Sequence, residues 1–338
     1  MPDAPLTDAS MSGVPMSDTR PSAPARLSPP HGLRRRQVLG GMAALALAAP
    51  ARAQPSQVVD GPTVMETGTD DYQVTSFRQP GPAGSPNHVI RLAWPRGPAP
   101  SGGYPAVHLL DGRAAAMVLD APMLAELAAA GGPAIVTHEY DTDTRFATLE
   151  RTRDYTPPDA AGRPLDDPRG RPGGQVDAYL DLLTGHILPR AETLAPLAPG
   201  RRLLWGHSYG GLCVLQAALV RRSGFARFTA ASPALWWDNG AFLDLLMTRA
   251  AAPMTDAPVL DIHAGTAEGG PSRRSDDPAA QAMIRMREAL PADALARLRT
   301  ALRAAGVTGQ DRDFDGAGHG QSFGQSLRIT LAIATSGM

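Results

Sequence analysis

The sequence runs to 338 residues with 32 basic side chains, all of them arginine, against 33 acidic ones, and a formal net charge of −1 at pH 7. A near-balanced charge argues against nucleic acid as the natural partner. Cys213 is the single cysteine, which excludes an intramolecular disulfide, and there is no His-x-x-x-His or Cys pair at metal-ligand spacing.

Residues 1–32 are rich in Pro, Ser, Ala and Asp without periodicity, as in a disordered leader or in codons upstream of a later start at Met11 or Met16. Arg34-Arg35-Arg36-Gln37-Val38-Leu39 then precedes an apolar stretch ending at Ala49, and Ala51-Arg52-Ala53 supplies small residues at both A-x-A positions. This layout predicts a cleaved export signal of the twin-arginine class, with cleavage after Ala53. The apolar run is far shorter than the ~20 residues of a spanning helix, so no stable membrane anchor is expected. The leader and signal would occupy 1–53, and 54–338 would be one exported domain in the periplasm, with the twin-arginine machinery as its partner before cleavage.

After the signal, short strands are expected over Val58–Met65, Tyr72–Phe77 and His88–Trp94, separated by Pro and Gly clusters. The rhythm then changes to strand 106–110, helix 114–129 and strand 134–136, followed by a long polar loop over 141–174. Apolar residues at helical spacing mark 176–188. Leu203-Leu204-Trp205 is the next strand, 228–231 and 259–263 two more, 241–248 a helix, and 279–305 a helical segment broken at Pro291. A last strand over 311–314 and an amphipathic helix over 322–334 close the chain. Antiparallel strands first and alternating strand and helix afterwards predict an α/β fold, with a mostly parallel sheet covered on both faces. A loop of thirty residues in such a domain is commonly functional.

Gly206-His207-Ser208-Tyr209-Gly210-Gly211 lies between the strand at 203–205 and an apolar helix beginning near Leu212. Strand, sharp turn and helix around Gly-x-Ser-x-Gly form a nucleophile elbow, which presents Ser208 and turns the N–H of Tyr209 toward a developing negative charge. A serine hydroxyl needs a base, and the base a carboxylate to orient it. Only His263 and His319 follow Ser208, and His263 sits inside a strand, so His319 in Gly318-His319-Gly320 is the candidate base. Glu268 is the first carboxylate past the 259–263 strand and is the candidate acid; Asp276 and Asp277 lie further out. The second oxyanion N–H is expected from the turn Leu110-Asp111-Gly112-Arg113, through the backbone of Gly112 or Arg113. No cofactor or metal is required.

Together with Arg151-Thr152-Arg153-Asp154-Tyr155-Thr156-Pro157 and Ser232-Pro233-Ala234-Leu235-Trp236-Trp237, these motifs resemble the esterase branch of the α/β-hydrolases, most closely the enzymes that hydrolyse catecholate siderophore trilactones. The resemblance implies an α/β-hydrolase with little or no lid, in which Ser208 is nucleophile, His319 base and Glu268 acid, acting on a small ester such as a ferric or apo siderophore. Arg113 stands where such enzymes usually carry Asn, and Glu139 where Gly is common. Trp236 and Trp237 have two readings, a shelf for a catechol ring or buried packing. Arg153 likewise either contacts an anionic substrate or braces the long loop through Asp154. An acyltransferase using the same triad and a non-catalytic binding protein are the rival functions.

Overall fold

A single eight-stranded sheet, whose central strands are buried on both faces, organises the computed structural model, which describes residues 57–222, 224–268 and 276–336. The expected leader and signal lie outside the described residues. The strands are β1 (Tyr72–Gln79), β2 (His88–Pro95), β3 (Tyr104–Leu109), β4 (Ala134–Tyr140), β5 (Leu197–His207), β6 (Arg227–Ala231), β7 (Leu260–Gly265) and β8 (Asp311–Phe314). Their order across the sheet is β1-β2-β4-β3-β5-β6-β7-β8. β2 pairs antiparallel with β1 and β4, and the remaining pairs are parallel.

The α-helices are α1 (Val64–Thr67), α2 (Gly112–Ala116), α3 (Ala121–Ala129), α4 (Thr148–Tyr155), α5 (Val176–Leu182), α6 (Leu188–Leu194), α7 (Tyr209–Leu215), α8 (Ala241–Arg249), α9 (Pro278–Glu288), α10 (Ala294–Ala304) and α11 (His319–Thr335). β5 shows how they cover both faces. Successive strand residues point to opposite sides. Leu203 and Trp205 join Phe323, Leu327 and Leu331 of α11 on one side, and Leu204 joins Leu212 of α7 and Leu180 of α5 on the other. Each such buried side chain contributes about 1.5–3 kcal/mol of transfer free energy. The Trp205 Nε1–H donates to Ser326 Oγ at 2.9 Å, so its polar end is satisfied in the core.

Three sequence expectations change. The expected 58–65 strand does not form: the segment is irregular up to Thr63 and then becomes the helical turn α1, where Glu66 reaches back to the Thr63 N–H at 2.8 Å in a capping box. The expected 114–129 helix is two helices, since Asp120 caps Met123 N–H at 2.8 Å and Pro122 sits in the first turn of α3. The long polar loop contains α4, whose buried residues are Thr152, Asp154 and Tyr155. Only Tyr155 of that inward face is apolar, so no apolar period announces the helix.

The parallel strands share one carboxyl end, where open α/β sheets bind ligands. Asp111 follows β3, Ser208 follows β5, Ser232 follows β6, Glu268 follows β7 and His319 follows β8. Residues far apart in the chain are thereby delivered to one edge.

Candidate active site

Ser208 caps α7 with φ 60° and ψ −113°, a conformation that costs a non-glycine residue about 1–3 kcal/mol. Its neighbours make the turn feasible. A Cβ on Gly206 would stand 2.4 Å from the Gly210 carbonyl oxygen, so only glycine fits where the strand meets the returning helix. The Ser208 N–H donates to the Ala231 carbonyl at 3.0 Å, fixing the elbow to the end of β6. Tyr209 opens α7, where first-turn N–H groups lack intrahelical acceptors and face the anion side of the helix dipole.

His319 opens α11, and its Nδ1 lies 3.0 Å from Glu268 Oε2. With that N–H donated to the carboxylate, Nε2 carries the lone pair. Glu268 Oε1 also accepts from Gly265 N–H at 2.6 Å and from Ser232 Oγ at 2.5 Å. Burial alone would raise the Glu268 carboxyl, but the hydrogen bond and charge of His319, with Ser232 and Gly265, hold it down at about 2. Ser208, His319 and Glu268 line one cavity of about 270 Å³. Among the described residues no hydrogen bond joins Ser208 Oγ to His319, a contact that often tightens only around substrate.

Further hydrogen bonds from Ser322, His207 and Arg151 steady this group. Ser322 Oγ stands 2.7 Å from Ser232 Oγ and donates to the His319 carbonyl at 2.8 Å. His207 Nε2–H donates to the same carbonyl at 2.8 Å, and its ring lies 4.5 Å from that of His319. Burial, then the neighbouring His319, push His207 well below the ordinary histidine range, so it stays neutral. Arg151 clasps Asp111 through Nε–Oδ1 at 2.7 Å and Nη2–Oδ2 at 2.8 Å, and reaches the His207 carbonyl at 3.4 Å. The turn after β3 is thus tied to the elbow by a bidentate pair.

The remaining sequence candidates separate. Trp236 lines the cavity, whereas Trp237 is 1% exposed and donates from Nε1 to the Pro157 carbonyl at 2.9 Å. Trp237 is therefore core. Arg153 is engaged with Asp154 at 2.6 Å and does not line the cavity. The Arg113 side chain points to Glu66 at 3.2 Å, and Gly112 packs where a Cβ would stand 2.6 Å from the His138 nitrogen. Both line a small recess beside His138 and Glu139 rather than the Ser208 cavity. Among the described residues no group of three or more His, Cys, Asp or Glu stands close enough to hold a metal ion.

Residues 87–332 match the profile of the family described as Putative esterase. The chain belongs to this esterase family. The apo-salmochelin esterase of Escherichia coli O6:H1 is 31% identical over 285 residues, spanning 82% of this chain and 84% of that one. The siderophore enterobactin esterase of Emericella nidulans is 28% identical over 204 residues, 55% of this chain and 67% of that one. The structure of the enterobactin hydrolase IroE in complex with DFP superposes with a TM-score of 0.64 at 29% identity, over 81% of this chain and 99% of that one.

In this esterase the sequence did not single out Ser232, Ser322, His207, Arg171 and Arg287 for the site. Ser232 carried one signal, a serine before proline at a strand end, and its φ of 43° marks a turn as tight as the elbow. Arg171 and Arg287 line the Ser208 cavity with Arg151. Arg171 is paired with Asp167, while Arg287 donates to the Glu268 carbonyl at 3.2 Å and has no carboxylate partner among the described residues.

Proposed function

We propose that this esterase is an exported serine hydrolase that cleaves siderophore esters through an acyl-enzyme. The observation that carries the reading is the His319–Glu268 hydrogen bond in the cavity that Ser208 lines. Ser208 Oγ attacks the ester carbonyl as His319 Nε2 takes its proton. The Glu268 carboxylate steadies the imidazolium through Nδ1–H. The tetrahedral oxyanion is held by the Tyr209 N–H at the start of α7, beside the turn after β3 that the Asp111–Arg151 pair ties to the elbow. Collapse expels the alkoxide, which leaves with the proton from His319. Water, deprotonated by the same imidazole, then attacks the acyl-enzyme and releases the acid and Ser208.

The cavity and the relatives, whose names specify salmochelin and enterobactin, support this substrate class. Arg151 and Arg171 are neutralised by Asp111 and Asp167, so among the described residues lining the cavity Arg287 is the guanidinium with charge to spare for an anionic catecholate arm. Trp236 offers its ring beside it. No helix among the described residues is long and apolar enough to cross a membrane. The export reading rests on the Arg34–Ala53 pattern and predicts Gln54 as the N-terminus of protein recovered from the periplasm.

A side-by-side assay tests the substrate. A cyclic catecholate trilactone should be hydrolysed with a kcat/KM at least roughly ten-fold above that of nitrophenyl acetate, a difference of about 1.4 kcal/mol in transition-state binding. Equal rates on the two would reduce the enzyme to a general esterase.

A further inference from the structure

Beside the Ser208 cavity lies a second one, of about 440 Å³, that no step of the proposed reaction uses. The two share Ser232, Pro233, Trp236, Glu268 and Arg287, so the second lobe opens from the first across the half-buried Trp236. Its composition is different. The polar groups, apart from Glu288, lie on the shared border, and beyond it the walls are Leu235, Leu290, Pro291 and Leu295. Leu290 and Leu295 are only partly buried although they pack against the main core, which leaves aliphatic surface facing open space at the turn between α9 and α10. The Ser208 lobe, with Arg151, Arg171 and Arg287, suits an anionic arm; among the described residues this lobe offers no cation beyond Arg287 on the border, and its walls reward hydrocarbon.

We propose that the second lobe is an apolar subsite for a hydrocarbon arm of the ester whose carbonyl sits at Ser208, so that the enzyme also hydrolyses medium-chain esters. The inference rests on Ser208 being the nucleophile. The reaction is ordinary hydrolysis: the Ser208 Oγ–acyl bond forms, the acyl–alkoxide bond breaks, the alkoxide takes its proton from His319, and water yields the carboxylic acid. Each methylene that enters the lobe leaves water, and full burial of one is worth about a four-fold gain in binding.

The test is a chain-length series in two arms, nitrophenyl acetate through octanoate for the acyl side and ethyl through octyl acetate for the alcohol side. In one arm kcat/KM should rise by roughly ten-fold or more over four added methylenes, well below the limit for complete burial because the lobe is open on one side; the arm that rises identifies which side of the ester the lobe receives. Leu295→Asp places a charge in the wall, and Ala292→Trp fills the lobe from its exposed rim. Either variant should collapse the long-to-short ratio toward one. Flat profiles in both arms, or a ratio that survives both substitutions, would overturn the proposal. Activity that persists in Ser208→Ala would instead remove the reading it rests on.

Discussion

The corner that holds Glu268 and His319 and the wall formed by α9 sit on the same cavity but are built in opposite ways. In the corner Ser232, Ser322 and His207 are buried, and Glu268 is held by three donors. On α9 no residue is fully buried; Met283 and Ile284 are half-exposed where they face the site, and Arg287 is exposed. In the proposed reaction, chemistry is held by strand ends whose backbone is already committed to the sheet, and substrate selection by a helix with few anchors. Substitutions in the corner should therefore act on kcat, and those on the wall on KM.

The largest effect is expected at the base. His319→Ala should lower turnover by about 10⁴-fold or more, and Glu268→Gln, which keeps shape but loses charge, by up to about 10⁴-fold, with KM little changed in each; steady-state kinetics on a nitrophenyl ester reads both. A Glu268→Gln enzyme with full activity would show that the corner does without its carboxylate. Asp111→Asn should cost about 10–10²-fold in kcat by loosening the turn that faces the elbow, less than the 10²–10³ for removing an oxyanion donor outright. On the wall, Arg287→Ala should raise KM several-fold for an anionic catecholate ester and leave a neutral nitrophenyl ester unchanged. If both substrates suffered equally in kcat, the division between corner and wall would fail.

A third region supplies a control. His108 of β3 and His138 of β4 bring Nδ1 and Nε2 to 3.0 Å, and burial pushes both down, His138 to about 3. An unfolded histidine titrates near 6.5. The folded state therefore loses stability as pH falls below about 6.5 toward the folded value, where the unfolded chain binds more protons. Urea midpoints should fall over that range, and His138→Gln should flatten the fall. A pH-independent midpoint in the wild type would contradict the neutral buried pair.

The elbow was legible in the sequence because its geometry is local: Gly206 and Ser208 encode a turn that a few residues settle. His319 and Glu268 were reached through chain order and strand ends, since parallel strands deliver successive loops to one edge. The fold was legible for the same reason, in the change from hairpin to alternating strand and helix. What stayed hidden depends on convergence. Arg171 and Arg287 come from a loop and from α9, and nothing in either segment shows that they meet at Ser208. The α4 helix escaped because Thr152 and Asp154 face inward, where Thr152 Oγ1 donates to the Thr148 carbonyl at 2.6 Å and Asp154 accepts from the Tyr140 hydroxyl at 2.9 Å. The Trp236-Trp237 pair reads as one motif, yet one ring meets the cavity and its neighbour fills the core.

Covalent labelling tests the central claim most directly. Protein treated with a fluorophosphonate should gain the mass of a single adduct, mapped by peptide sequencing to Ser208, and Ser208→Ala should gain none while hydrolysing neither the trilactone nor the nitrophenyl ester. An adduct on another residue, or a Ser208→Ala variant that still turns over either ester at the wild-type rate, would contradict the account.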